Sequence, residues 1–199
     1  MKIGILGGAF DPPHLGHLII SRQVKDRLKL DEVWLMPCHW HPFGKKLSPT
    51  SHRLAMCRLV ETDWLKVSDF EIKKDSISYT IDTLPGLYQR HPEHKFYWLV
   101  GSDQLPFFCK WKDWQKLVRD YCFIFFPRGT GIINLRLHVS ETLQLPKLPG
   151  NISVVNQLDT VITNISSTII RKRIDNKESI QYLVPDIIAK YFNKHQLYE

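Results

Sequence analysis

Gly7-Gly8-Ala9-Phe10-Asp11-Pro12-Pro13-His14-Leu15-Gly16-His17 is the stretch on which the reading of this chain turns. A short apolar run, Ile3 to Leu6, precedes it, and an apolar-periodic segment, Leu18-Ile19-Ile20 to Leu28, follows it. That order reads as strand, glycine turn, helix. The glycines let backbone N–H groups approach a ligand closely. The helix start adds unpaired N–H groups and the positive end of its dipole. Two histidines, three apart with Gly16 before the second, fall where an anion would bind. The stretch therefore points to a phosphate-handling site at the end of the first strand. A Gly-Gly pair alone would mark only a tight turn, and His-x-x-His can be a metal pair on one helical face. No Cys or third His lies at ligand spacing nearby, which weighs against a metal, and packing does not account for two histidines straight after Pro12-Pro13.

A chain of 199 residues fits one domain, and 43% hydrophobic residues suffice for a real core. The expected organisation is a single domain over 1–199, with 165–199 as its C-terminal helical part. Met1-Lys2-Ile3-Gly4 runs straight into a strand, nothing resembles a signal peptide, and no apolar run approaches the ~20 residues that span a bilayer. The expectation is a cytoplasmic protein with no membrane association. Cys38, Cys57, Cys109 and Cys122 are scattered without a CxxC pair, which argues against a zinc site and a disulfide framework. The formal charge is +7, but Lys and Arg are dispersed apart from small groups such as Lys45-Lys46 and Arg171-Lys172-Arg173. This suits a pocket for several phosphates better than a nucleic-acid surface.

Strand and helix signals alternate along the chain. Val33 to Met36 reads as a strand, His52 to Val60 as a helix, and Thr80 to Gln89 as a helix with Pro85 early in it or at a kink. Phe96 to Val100, Tyr121 to Phe126 and Ile152 to Val155 read as strands, the aromatic runs suiting strands covered on both faces. The stretch from Gly129 to Gly150 reads as a long irregular excursion, and Pro185 to Tyr198 as a helical tail docked on the sheet. The implied fold is α/β: a Rossmann-like, doubly wound parallel sheet with a C-terminal helical segment. Ligands then bind beyond the carboxyl ends of the strands, where both the Gly7 turn and Gly101 fall.

Ile165-Ser166-Ser167-Thr168-Ile169-Ile170-Arg171-Lys172-Arg173 forms a second constellation. Ser and Thr make N-caps, which alone would account for the hydroxyls. A cap does not account for Arg171 and Arg173 following within one turn, where N–H groups, dipole and a guanidinium would converge on one anion.

His14-Leu15-Gly16-His17 resembles the HxGH signature of the nucleotidyltransferase superfamily. The lead-in Gly7-Gly8-Ala9-Phe10-Asp11-Pro12-Pro13 is most similar to that of nicotinate/nicotinamide mononucleotide adenylyltransferases, which more often carry Thr or Ser where Ala9 stands. Residues 165–171 resemble their ISSTxIR motif. Ser78-Tyr79-Thr80-Ile81-Asp82-Thr83-Leu84 resembles their SYTxDTL segment, and Gly101-Ser102-Asp103 their GxD turn, with Trp111 at the tryptophan position that follows. Pro185, Tyr191-Phe192 and His195-Gln196-Leu197-Tyr198 resemble their ending. Together these cover essentially the whole chain, in order. One segment departs: His41-Pro42-Phe43-Gly44-Lys45 stands where bacterial members commonly have a PPHK-like loop.

The resemblance implies transfer of AMP from ATP to nicotinate mononucleotide, with release of pyrophosphate, in NAD biosynthesis. The attacking phosphate is already ionised, so catalysis is positioning and stabilisation of charge on phosphoryl oxygens. By resemblance, His14 and His17 hold the ATP phosphates and support the transition state. Lys45, or Lys46, reaches a phosphate. Ser167, Thr168 and Arg171 cradle the β- and γ-phosphates, with Ile165 and Ser166 leading in. Gly7, Gly8, Ala9, Phe10 and Gly16 line the ATP site, and Gly101 and Asp103 meet the ribose. Tyr79 and Thr80 lie near the pyridine substituent, and Trp111 stacks on the ring. Trp111 and Trp114, three apart on a helix, could equally be core. Mg²⁺ is expected to enter bound with ATP, and no protein-held metal is expected. The histidines as general acids remain an alternative, since a helix N-terminus disfavours imidazolium and phosphate favours it. The resemblance leaves room for a homo-oligomer and for nicotinamide mononucleotide or phosphopantetheine as acceptor. A non-catalytic nucleotide sensor and an RNA-binding protein are the readings from other classes. The paired phosphate motifs weigh against the first, and the dispersed charge against the second.

Overall fold

A computed structural model describes residues 1–129, 134–155 and 160–198. The chain runs β1 (Lys2–Gly8), α1 (Leu15–Leu28), β2 (Glu32–Pro37), α2 (Thr50–Arg58), β3 (Leu65–Val67), α3 (Phe70–Lys73) and α4 (Thr80–Arg90). It continues through β4 (Lys95–Gly101), α5 (Leu105–Phe108), α6 (Trp114–Asp120), β5 (Cys122–Phe126), α7 (Leu135–Thr142), β6 (Ile152–Val154), α8 (Ser167–Asp175) and α9 (Asp186–His195). The strands form one sheet in the order β3-β2-β1-β4-β5-β6, and every pairing is parallel. This is the doubly wound order expected of the sequence.

The continuous apolar strands are explained by burial on both faces. Side chains alternate, so Ile3 and Ile5, Phe96 and Trp98, and Phe123 and Phe125 pack on one side with α4, α5 and α7. Leu6, Leu99, Ile124 and Phe126 pack on the other with α1, α2, α8 and α9. The tail docks as expected, burying Ile188 and Phe192 of α9 in that second cluster.

Three local expectations need correction. The excursion after Gly129 contains α7, with Leu135 and Val139 buried and Asn134 capping it by accepting from the Leu137 amide. Residues 130–133 of that excursion lie outside the described residues. Of the two placements expected for Pro85, early in α4 or at a kink, the first does not hold, since it sits a full turn inside the helix. Trp111 is not on a helix, since it lies in the turn before α6, while Trp114 is that helix's first residue. The three-residue β3 went unread because it is too short to display a period.

The order reverses between β1 and β4, where connections leave to opposite faces and open a crevice at the strand ends. Gly7, at the end of β1, lies against Trp98 of β4 so closely that a Cβ would sit 2.6 Å from the indole. Gly7→Ala should therefore cost about 1–3 kcal/mol through overpacking. The check is the urea midpoint. A midpoint equal to wild type would mean that this wall of the crevice has room to give.

Candidate active site

The turn between β1 and α1 is held by its carbonyls. Gly8 O accepts from the Cys38 amide (2.9 Å), and Ala9 O from Arg53 Nη1 (2.8 Å). Asp11 O accepts from Arg171 Nη1, and Pro12 O from Ser167 Oγ (2.8 Å). With these four carbonyls tied to other elements, the turn is left with N–H groups to offer a ligand. Phe10 adopts φ +49°, the left-handed region that a non-glycine residue occupies only where its surroundings impose it. Its ring is buried and lies 4.8 Å from the His17 ring.

Asp11 anchors the turn from beneath. One carboxylate oxygen accepts from the Ser48 amide (3.0 Å) and the other from the Tyr198 hydroxyl (2.5 Å). Arg53, 1% exposed, has no carboxylate bonded to it among the described residues. Its donors go to Ala9 O, to Ser48 O (3.0 Å) and to His39 O (3.1 Å). Hydrogen bonds from a charged donor, each about 1.5–3 kcal/mol, offset the cost of burying the guanidinium. They fasten the turn to the loop after β2.

His14 is the N-cap residue of α1, and His17 is its third helical residue. Their rings stack at 3.7 Å. His17 Nδ1 accepts from the His14 backbone N–H (3.2 Å), so neutral His17 carries its proton on Nε2. Burial, and then the Arg128 charge, lower the His14 pKa to about 3. Burial first, then His14 and Arg128, hold His17 well below the ordinary histidine value. Both imidazoles are therefore neutral donors in the free protein. Among the described residues neither His14 ring nitrogen has a hydrogen-bond partner, although both are buried, which leaves them available to a ligand.

These groups line a cleft of about 820 Å³. Gly7, Gly8, Ala9, Phe10, His14, Gly16 and His17 meet Gly101, Asp103, Ser166, Ser167, Thr168 and Arg171 there. Lys45, Tyr79, Thr80 and Trp111 line it too. Of the residues singled out from the sequence, only Ile165 is not part of the lining; its carbonyl accepts from Arg128 Nη2 (3.3 Å). Ser166 is the α8 cap, accepting from the Ile169 amide (3.2 Å), while the Ser167 hydroxyl is engaged with Pro12. At α4, Tyr79 is the N-cap residue, with the Lys112 ammonium 5.0 Å from its ring centre. The α4 amides of Thr80 and Ile81 have no acceptor among the described residues. Trp111 is half-buried against Phe108, with ring centres 4.9 Å apart.

Arg128, Arg53 and Glu71 were not found by sequence reasoning. Arg128 faces both histidines and pairs with Asp103 at 3.4 Å. Six cationic side chains (Lys45, Lys46, Lys110, Lys112, Arg128, Arg171) line the cleft against the carboxyls of Glu71 and Asp103. Such a surplus concentrates polyanions.

A family model described as cytidylyltransferase-like matches residues 5–173, and the chain belongs to that family. A protein of Oceanobacillus iheyensis described as "Probable nicotinate-nucleotide adenylyltransferase" is 36% identical over 99% of this chain and 96% of its own length. A protein of Shewanella pealeana with the same description is 37% identical over all of this chain and 96% of its own. Relatives at this level place the chain within the nicotinate-nucleotide adenylyltransferase branch of the family. The Plasmodium falciparum nicotinic acid mononucleotide adenylyltransferase, solved in complex with NaAD, superposes with a TM-score of 0.82 at 25% identity, covering 99% of this chain and 97% of that one.

The depressed His14 pKa ties stability to pH. The unfolded chain takes up the proton near 6.5 and the folded chain only near 3, so stability falls as pH drops below 6.5. At pH 5.5 that loss is about 1.4 kcal/mol for His14 alone. Urea unfolding at pH 7.5 and 5.5 should show wild type losing about this much more than His14→Gln. Equal losses would mean that His14 is not held neutral by folding.

Proposed function

We propose that this chain transfers the adenylyl group of ATP to nicotinate mononucleotide, forming nicotinate adenine dinucleotide and pyrophosphate in NAD biosynthesis. The observation that carries the reading is one cleft with two kinds of anion site. At one, the β1 turn and the starts of α1 and α8 meet across Asp11 and Pro12. At the other, the start of α4 offers the unpaired Thr80 and Ile81 amides. A triphosphate suits the first, and a single carboxylate the second. The names of the relatives agree with this assignment.

In this reading an oxygen of the acceptor's 5′-phosphate attacks the α-phosphorus of ATP. A new P–O bond forms, the bond to the β-phosphate oxygen breaks, and pyrophosphate departs with that electron pair. No side-chain nucleophile is required. His17 Nε2–H and the His14 ring donate to phosphate oxygens as charge grows on them, and Arg128 adds a fixed positive charge behind both. The α8 amides and the Arg171 guanidinium hold the β- and γ-phosphates, which become the leaving group. Lys45, exposed at the rim, closes on the acceptor's phosphate. Gly101 and Asp103 receive the adenosine ribose, and Trp111 stacks on the pyridine ring. The Asp11 carboxylate is committed to Ser48 and Tyr198, and Asp103 to Arg128. With these carboxylates engaged, the residues beside the histidines would suit a Mg²⁺ ion brought in by the triphosphate rather than one held by the protein's own carboxylates. Bound there, it would neutralise phosphate charge.

No helix among the described residues is long and apolar enough to cross a membrane. A cytoplasmic site of action belongs to the proposal through its substrates, freely diffusing nucleotides.

With ATP and Mg²⁺ at pH 6.5, pyrophosphate release should require a mononucleotide acceptor, and kcat/KM at that pH should favour the acid over the amide by tenfold or more. A carboxylate pairs with two N–H donors, while an amide presents its own N–H₂ to them, a mismatch of about 1–3 kcal/mol. A preference for the amide would overturn the acceptor assignment and leave adenylyl transfer standing. Separately, His17→Ala should lower kcat by ~10²–10³ while the Kd for ATP moves only a few-fold. A near-normal kcat in the folded variant would remove His17 from the chemistry.

A further inference from the structure

The mechanism leaves one buried acid of the cleft without a role. Glu71, on α3, is 3% exposed and lines the cleft beside Ser78, Tyr79 and Thr80. Its Oε1 lies 2.8 Å from Thr83 Oγ1, and the Ser78 hydroxyl lies beside the same carboxyl. Ser78 Oγ itself accepts from the His39 amide (2.9 Å), so its proton is free for Glu71. Thr83 Oγ1 also lies 3.0 Å from the Tyr79 carbonyl, across the first turn of α4.

A hydroxyl has a single proton to give. If Glu71 is ionised, Thr83 donates to it and the Tyr79 carbonyl loses its side-chain donor. If Glu71 is protonated, it donates to Thr83, and Thr83 donates to Tyr79. Both short contacts are hydrogen bonds at once only in the protonated form. The carboxyl is thus wired to the turn of α4 whose Thr80 and Ile81 amides are unpaired.

We propose that Glu71 makes the choice between acid and amide mononucleotides depend on pH, by taking up one proton when the acid binds. An ionised Glu71 would put a second negative charge behind the amides that receive the substrate's carboxylate. The amide mononucleotide carries no charge there to oppose it. The inference rests on the acceptor assignment made above.

The surroundings are consistent with a titration near neutrality. Burial drives the Glu71 pKa up to about 7, against the downward pull of the Thr83 and Ser78 hydrogen bonds and the Lys74 charge. Lys74 donates to Asp82 O (3.0 Å), and Lys112 pairs with the Asp82 carboxylate (3.0 Å). Asp69 pairs with Lys73 and Arg58, and His39 with Asp75. From α2, Arg53 spends its donors on carbonyls. Burial raises the Cys38 thiol to about 11 and lowers His41 to about 4, so both are neutral between pH 6 and 9.

The experiment is the ratio of kcat/KM for nicotinate over nicotinamide mononucleotide, from pH 6 to 9, in wild type and Glu71→Gln. Both substrates share ribose and 5′-phosphate, so titration of the phosphate, of ATP and of the histidines cancels in the ratio. In wild type the ratio should be level below about pH 7 and then fall, approaching tenfold per pH unit. In Glu71→Gln, whose neutral side-chain N–H can donate to Thr83 as the protonated carboxyl does, it should be flat with the acid preferred. A flat wild-type ratio, or the same fall in both proteins, overturns the proposal. Acid preference absent at every pH overturns the acceptor assignment instead. Should Glu71→Gln fail to fold, calorimetry of wild type at pH 8, in buffers of different ionisation heat, decides the matter. Binding the acid should take up about one proton more than binding the amide, and equal uptake overturns the proposal.

Discussion

The site depends on where four carbonyl groups point. Gly8, Ala9, Asp11 and Pro12 turn their oxygens to donors from the loop after β2, from α2 and from α8. Three distant parts of the chain thereby set one turn. A glycine-rich turn without those partners would have many conformations, and ordering it on binding would draw on the binding energy. Here folding has already ordered it, and the N–H groups stand ready for phosphate. Asp11 extends the arrangement to Tyr198, so the last described residue of the chain is linked to the first functional turn.

The same economy governs charge. The histidines are buried, stacked and neutral, with Arg128 opposing their protonation. Neutral imidazoles can donate to phosphate without being locked into ion pairs before it arrives. The permanent charges sit around them: Arg128 and Arg171 within, and Lys45 and Lys46 at the exposed rim. The reaction produces a polyanionic leaving group, and such a field favours its departure from the α-phosphorus.

What could be read from the sequence was local. The residues 7–17 turn and the α8 cap carry their meaning within a few positions, so strand, turn, helix start and anion preference follow from residue type and spacing. The sheet followed as well, since runs such as 96–100 and 121–126 suit strands covered on both faces. Arg53, Arg128 and Glu71 could not be found that way. Arg53 acts on Ala9, 44 positions away, and Arg128 matters only because β5 ends beside the histidines. Nothing adjacent in sequence distinguishes either from a surface arginine. Glu71 sits in a polar stretch whose burial exists only once α3 packs against α4. Trp111 was placed in the cleft by its distance from Gly101, while the helix imagined around it was a coincidence of spacing with Trp114.

The central claim is that one cleft holds both substrates, with phosphates at the β1 turn and α8 and the pyridine carboxylate at α4. The most direct test is a crystal structure with nicotinate adenine dinucleotide bound. The account predicts the pyrophosphate bridge against His14, His17 and the start of α8, and the nicotinate carboxylate on the Thr80 and Ile81 amides. A bridge lying out at Lys45 and Lys46, with the carboxylate turned to solvent, would contradict it.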